Sequence, residues 1–259
     1  MTIQHPFSLA GKTGIVTGLA NADSIAFGCA RALHEAGAEM IATYGHPKAE
    51  PHLTPLLESM GHPELMLCDV QDEAQVEAVF QRAQERWGRL DFVIHSMAFA
   101  QRDDLHGRVV DCSREGFAQA MDISCHSFLR LARRAEPLMT AGGSLITLSY
   151  YGAEKVVANY GLMGPVKAAL EASVRYMADE LGPAGIRVNA ISPGPIRTRA
   201  ASGIRNFEAL AEDAEQRAPL RRLASTEDVG RTAVFLISEA GQSLTGGTTY
   251  VDAGHHVKA

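Results

Sequence analysis

The sequence predicts an α/β fold: a single doubly wound parallel sheet of about seven strands with helices on both faces. Three observations carry that expectation. Short apolar, β-rich runs alternate with amphipathic stretches along the chain, most of the runs are apolar on both faces, and no repeat, low-complexity tract or linker interrupts them. Strands apolar on both faces are covered by helices on both sides. Alternating strand and helix brings right-handed crossovers and parallel pairing. A chain of 259 residues, 46% of them hydrophobic, suits one core, so residues 1–259 are read as one domain.

The first strand is Thr13-Gly-Ile-Val-Thr17, followed by a helix over 25–36. Glu39-Met-Ile-Ala-Thr-Tyr44 and Glu64-Leu-Met-Leu-Cys68 are the second and third strands, and a helix over 73–87 leads to a fourth, Leu90-Asp-Phe-Val-Ile-His95. A helical pattern spans 114–137 before the fifth strand, Gly143-Ser-Leu-Ile-Thr-Leu148. A helix over 166–181 precedes the sixth, Ile186-Arg-Val-Asn-Ala-Ile191, and Thr248-Thr-Tyr-Val251 is the last. Gly37 and Gly182 follow two of the helices where positive φ ends a helix without strain. Residues 201–210, small and carrying Gly203, read as a mobile lid preceding any helix, within a wider lid region of 197–212.

Composition narrows the function classes. A net charge of −6 gives no basic surface for nucleic acid. No apolar run approaches the ~20 residues that span a bilayer. Residues 1–9 lack the basic-then-apolar pattern of a signal peptide, so a cytoplasmic location is expected. Cys29, Cys68, Cys112 and Cys125 form no C-x-x-C pair and are expected to be reduced. The histidines show no ligand spacing, so no metal is expected.

The first strand ends at Gly18 and a helix starts near Ser24, with the small polar turn Leu19-Ala-Asn-Ala-Asp23 between them. A dinucleotide diphosphate needs close backbone approach and then helix amides aimed at its charge. The spacing departs from G-x-G-x-x-G, and on these residues alone a plain turn capped by Ser24 is an equal reading. The second strand ends in Tyr44-Gly45-His46-Pro47-Lys48, with neither the acid that marks NAD nor an arginine for an extra phosphate. Lys48 is the one cation nearby, and the reading leans to NADH with NADPH left open. Asp69, after the third strand, is either an adenine contact or a turn-forming aspartate.

The most informative stretch is 148–167, which leaves a central strand and enters a helix, the edge where such sheets present chemistry. Tyr151 and Lys155 have Y-x-x-x-K spacing but come directly after the strand, before a helix is established. Tyr160 and Lys167 are seven apart, which on one helix gives a shared face with an axial offset of about 10.5 Å. Ser149 has no G-x-S-x-G elbow around it.

Here the sequence resembles the enoyl-acyl-carrier-protein reductases of the short-chain dehydrogenase/reductase superfamily, over nearly its whole length. Ser149-Tyr150 followed by Tyr160 and Lys167 is similar to their signature, Gly18-x5-Ser24-Ile25-Ala26 to their phosphate turn, and His95-Ser-Met-Ala-Phe-Ala100 to the segment that replaces Asn-Ala-Gly. Arg187-Val-Asn-Ala-Ile-Ser192, Gly194-Pro-Ile-Arg-Thr198 and Ala200-Ala-Ser-Gly-Ile204 also match. The resemblance implies a Rossmann-like fold and reduction of a trans-2-enoyl thioester on acyl carrier protein by NADH, in fatty acid synthesis.

It also implies roles. Tyr160 serves the thioester oxygen, Lys167 the ribose, and Tyr150 the substrate pocket or proton delivery. Gly18, Ser24 and Ile25 meet the diphosphate, Gly45 stands where cofactor choice is declared, and Asp69 and Val70 frame adenine. Met97 lies against the cofactor, Ala100 borders the substrate, and Ile196, Arg197, Thr198, Arg199 and Ala200 run along nicotinamide and phosphates. A homotetramer is implied too, and an acidic carrier calls for a basic rim, for which Arg197, Arg199, Arg205, Arg221 and Arg222 are candidates. Two other readings remain: reduction of another carbonyl or enoyl substrate, leaning on Tyr151 and Lys155 in the carbonyl case, and a nucleotide-binding regulator without turnover.

Overall fold

Seven segments pair in register into one all-parallel sheet: β1 (Thr13–Thr17), β2 (Glu39–Tyr44), β3 (Glu64–Leu67), β4 (Phe92–His95), β5 (Gly143–Leu148), β6 (Ile186–Pro193) and β7 (Thr248–Val251). Their order is β3-β2-β1-β4-β5-β6-β7, so the winding reverses beside β1, between β2 and β4. The structure is a computed structural model that describes residues 5–258. Residues 1–4, part of the stretch read for a signal peptide, and residue 259 lie outside the described residues.

The helices are α1 (Ile25–Glu35), α2 (Glu50–Glu58), α3 (Glu73–Trp87), α4 (Arg102–His106), α5 (Arg114–Met121), α6 (Ser127–Ala135), α7 (Met163–Leu181), α8 (Phe207–Arg217) and α9 (Thr226–Ile237). Successive β1 residues divide between two cores. Ile15 faces the side of Phe80, Phe128 and Val174, from α3, α6 and α7, while Val16 faces Leu33, Leu53 and Val229, from α1, α2 and α9. That division is why these strands are apolar on both faces. Among the described residues no helix is long and apolar enough to cross a membrane, and no group of His, Cys, Asp and Glu could hold a metal ion.

Helix starts follow local chemistry. Ser24 caps α1 and Asp72 caps α3 through side-chain oxygens, and Ser225 with Asp228 forms a capping box on α9. Where α1 crosses α9 both contribute glycine: a Cβ on Gly28 would lie 2.6 Å from the Thr226 Cβ, and one on Gly230 would lie 2.5 Å from the Gly28 carbonyl oxygen.

Several boundaries differ from the sequence reading. Gly37 has φ 94, but Gly182 has φ −54: its N–H still bonds back to Ala178, a 3-10 turn follows, and Gly185, at φ 74, is the left-handed residue. The pattern over 114–137 is not one helix but α5, a π-helix (Asp122–His126), α6 and a 3-10 turn (Glu136–Leu138). β4 starts at Phe92, β3 ends at Leu67, β6 runs on to Pro193, and α7 starts earlier than expected, at Met163. The lid does not precede every helix, since α8 begins inside it at Phe207.

Candidate active site

A cleft of about 410 Å³ opens along the C-terminal edge of the sheet, beside the reversal point. Its first wall is the turn after β1. Gly18 has φ 86, and a Cβ there would stand 2.1 Å from the Ser96 carbonyl oxygen, so only glycine lets β1 turn under the chain leaving β4. Ser24 Oγ accepts from the Phe27 N–H at 3.3 Å and donates to the Asn21 carbonyl at 2.7 Å. This fixes the start of α1 at the cleft, where Ser24 and Ile25 line the wall. First-turn amides without a carbonyl to bond, at the positive end of the helix dipole, make this a place for an anionic group. Gly28, further along, serves the α9 crossing instead.

The second wall leaves β4. His95 is fully buried, with Nδ1 2.8 Å from Thr147 Oγ1 and Nε2 2.8 Å from Ser127 Oγ. Ser127 Oγ spends its proton on the Ile123 carbonyl at 2.6 Å, so the ring donates from Nε2 and accepts from Thr147. Burial, with the Lys167 charge nearby, pushes the imidazole down to about 3, so it stays neutral.

The third wall follows β5. Tyr150, Tyr160 and Lys167 all face the cleft. Lys167 is 4% exposed and donates from Nζ to the Leu148 carbonyl at 2.7 Å. Burial holds its ammonium down at about 8, while Cys125 and Glu171 pull the other way. Tyr160 is buried and its phenol is pushed far above the usual range by burial, with Tyr150 and Glu171 adding to it. Tyr150 packs on it with ring centroids 4.7 Å apart, and burial raises its pKa to about 12. Ser149 Oγ donates to the Glu171 carboxylate one turn beyond Lys167, so two side chains of α7 grip the end of β5.

The shared-face argument for Tyr160 and Lys167 does not hold. Tyr160 precedes α7, and the chain between has Asn159 at φ 62 and Gly161 at φ 45. A Cβ on Gly161 would lie 2.5 Å from the Leu105 carbonyl oxygen, and one on Gly152 would lie 2.5 Å from the Tyr160 ring. A folded turn rather than helical periodicity brings the phenol to the lysine's cleft. Tyr151 sits in a 3-10 turn (Tyr151–Ala153) edge-on to His255, and Lys155 is exposed; neither lines the cleft.

Met97, Ala100, Ile196, Thr198, Arg199 and Ala200 also line the cleft. Four expected residues do not. Gly45 is exposed beyond β2; Asp69 is exposed and receives the Gln71 N–H at 3.0 Å in a turn. Val70 is buried in the core beside Val76, and Arg197 pairs with Glu208 at 3.1 Å. Conversely, Leu105, Met163 and Phe207 line the cleft without having been singled out. Leu105 lies in a five-residue helix too short to show periodicity, whereas Phe207 fell within the expected lid.

A family model described as Enoyl-(Acyl carrier protein) reductase matches residues 18–256. The chain belongs to the enoyl-acyl-carrier-protein reductase family. An NADH enoyl-acyl-carrier-protein reductase of Rhizobium meliloti is 50% identical over 95% of this chain and 90% of its own length. One from Bacillus cereus is 48% identical over 96% of this chain and 98% of its own. Among solved structures, the enoyl-acyl-carrier-protein reductase of Anaplasma phagocytophilum in complex with NAD superposes with a TM-score of 0.92 at 48% identity, covering 97% of each chain. The Bacillus cereus enzyme with NADP+ and an indole naphthyridinone gives 0.94 at 46%, covering 97% of this chain and 98% of that one.

In this enoyl-acyl-carrier-protein reductase family member the roof of the cleft is residues 198–210, including a 3-10 turn (Ala201–Gly203) and the start of α8. His106 Nε2 meets the Gly203 carbonyl at 2.7 Å, and the Arg197–Glu208 pair ties the strand-exit chain to α8. Both ties are exposed, while Phe207, Ala211 and Ala214 of α8 are buried.

Proposed function

We propose that the chain reduces the trans-2 double bond of an enoyl thioester carried on acyl carrier protein, using NADH, as a step of fatty acid elongation. The observation that carries this reading is a phenol kept protonated by burial and a buried ammonium facing one cleft at the mouth of a dinucleotide-type turn. The dinucleotide fits the residues present: the Gly18 turn has no room for a side chain, and the open end of α1 offers amides to its diphosphate. Gly18, Ser24 and Ile25 would hold the diphosphate, Lys167 the ribose, and Met97 with residues 196–200 the nicotinamide side, leaving Gly45, Asp69 and Val70 for the adenosine end. Bound there, NADH supplies a hydride to the β-carbon.

The chain's own residues handle the charge that results. Tyr160 holds a proton at its hydroxyl and presents it to the thioester oxygen as negative charge develops there. Lys167, charged at neutral pH, favours that same charge through the low-dielectric interior. Tyr150 buttresses the Tyr160 ring and closes the pocket against water. Ala100, with Leu105 and Phe207, gives the acyl chain an apolar lining.

Arg199, Arg205 and Arg221 are exposed without ion-pair partners among the described residues, while Arg197 and Arg222 pair with Glu208 and Asp228. They suit an acidic carrier protein docking at the lid. A homotetramer in the cytoplasm is part of the same reading; Tyr176 on α7, 74% exposed, and Leu244, before β7, 41% exposed, are positions that an interface between copies would cover.

Loss of NADH absorbance with a trans-2-enoyl thioester tests the reaction. Tyr160→Phe is expected to lower kcat by about 10²–10⁴-fold with NADH still bound. Lys167→Ala is expected to weaken NADH as well. Cofactor binding without any turnover by the wild type would overturn the reading in favour of a regulator.

A further inference from the structure

Midway along residues 114–137 the helix widens into the π-helix Asp122–His126, a form found mostly as single turns and frequently at functional sites. Its middle residue, Ser124, is fully buried. Ser124 Oγ accepts from the Phe99 N–H at 2.8 Å and donates to the Phe99 carbonyl at 3.0 Å. One hydroxyl thus satisfies both backbone groups of a residue lying past the end of β4, where no strand neighbour is available. Three residues on, Ser127 Oγ receives His95 Nε2, at the last position of β4. The widened turn and the first residue of α6 therefore hold the strand-exit segment at its two ends, Phe99 and His95.

What lies between the two holds is functional surface. Ser96, Met97 and Ala98 line the cleft, as do Phe99 and Ala100, and the Ser96 carbonyl is what excludes a side chain at Gly18. The His95 end sits beside the Gly18 turn and Lys167, toward the dinucleotide. The Phe99 end adjoins Ala100 and the apolar lining of Leu105.

Building on the proposed reaction, we propose that Ser124 is a positioning residue for enoyl reduction: by gripping the Phe99 backbone it sets the wall against which the enoyl chain lies. The paired hold at Ser127 and His95 sets the dinucleotide end, so the two serines act on different ligands. Removing the Ser124 hydroxyl takes away the partner of both Phe99 backbone groups, which are part-buried, and frees the Ala98–Ala100 wall while the His95 end stays held.

The test compares wild type, Ser124→Ala and Ser124→Cys, the last keeping the volume with a weaker donor and acceptor. Fluorescence titration gives NADH affinity, and titration of a trans-2-enoyl thioester into the NAD+ complex gives substrate affinity without turnover. Amide hydrogen exchange at Phe99 reads the grip itself. Ser124→Ala is expected to weaken the thioester about 10-fold or more, raise its KM more than it lowers kcat, and speed Phe99 exchange, with NADH affinity within about 2-fold. Ser124→Cys is expected to fall between, and it decides the matter if the alanine variant does not fold. Unchanged thioester affinity beside a lowered Tm, or a parallel loss of NADH affinity, would overturn the proposal. Failure of the wild type to consume NADH counts against the reaction, whereas the variant-to-wild-type binding ratios and Phe99 exchange judge the grip by themselves.

Discussion

Burial leaves the Lys167 ammonium bonded to the Leu148 carbonyl and holds its pKa at about 8, against about 10.4 for an exposed lysine. Between those values the unfolded chain binds more protons at this position than the folded one, so the lysine's contribution to stability rises with pH across the window. Its service to the cofactor runs the other way, since the charge is lost above pH 8. The buried thiols Cys29 and Cys68, raised to about 12 and about 11 by burial, have the opposite stability slope in any variant that retains them. The measurable quantity is therefore a difference. NADH affinity should fall above pH 8 in the wild type and lose that limb in Lys167→Met, while urea unfolding shifts in favour of the wild type relative to the variant between pH 8 and about 10.4. His95 gives an acid counterpart. Its folded pKa near 3 lies below the unfolded value of about 6.5, so its contribution is intact above pH 6.5 and is lost as pH falls toward 3. Urea midpoints measured from pH 7 to 4 should fall less steeply in His95→Gln.

At the scale of elements, the two glycine-bearing positions of the first helical unit have different consequences. Gly18→Ala places a Cβ against backbone at a left-handed φ, and it should abolish NADH binding by displacing the Ser96 wall. Gly28→Ala, at the α9 crossing, should cost about 1–3 kcal/mol of unfolding free energy in urea titration and leave NADH affinity nearly unchanged. The sheet was legible in the sequence because strands covered on both faces leave unbroken apolar runs, and β1, β2, β5 and β7 were bounded as expected. Tyr160 and Lys167 were legible as a motif but not as geometry, because the turn at Asn159 and Gly161 depends on backbone angles that no periodicity encodes. The π-helix escaped notice for a related reason: one extra residue per turn hardly disturbs an apolar pattern read over 24 positions. α8 gave no starting signal, because Asn206 precedes it at φ 55 without a capping bond.

For the whole molecule, sedimentation equilibrium tests the proposed homotetramer: about four times the 27.8 kDa chain mass is the expected outcome, with Tyr176 and Leu244 covered between copies. The glycine-on-glycine contact of α1 with α9 bears on how the molecule is made. α1 ends at Glu35 and α9 begins at Thr226, so α1 leaves the ribosome well before the helix it seats against is made. At about 5–20 residues per second, that wait is on the order of 10–40 s. During it the apolar face of α1, with Phe27 and Leu33, lacks the α9 part of its core, Val229, Ala233 and Leu236. The nascent chain is then a natural client for chaperones, and truncations that remove α9 should aggregate from the end of the molecule farthest from the deletion in sequence.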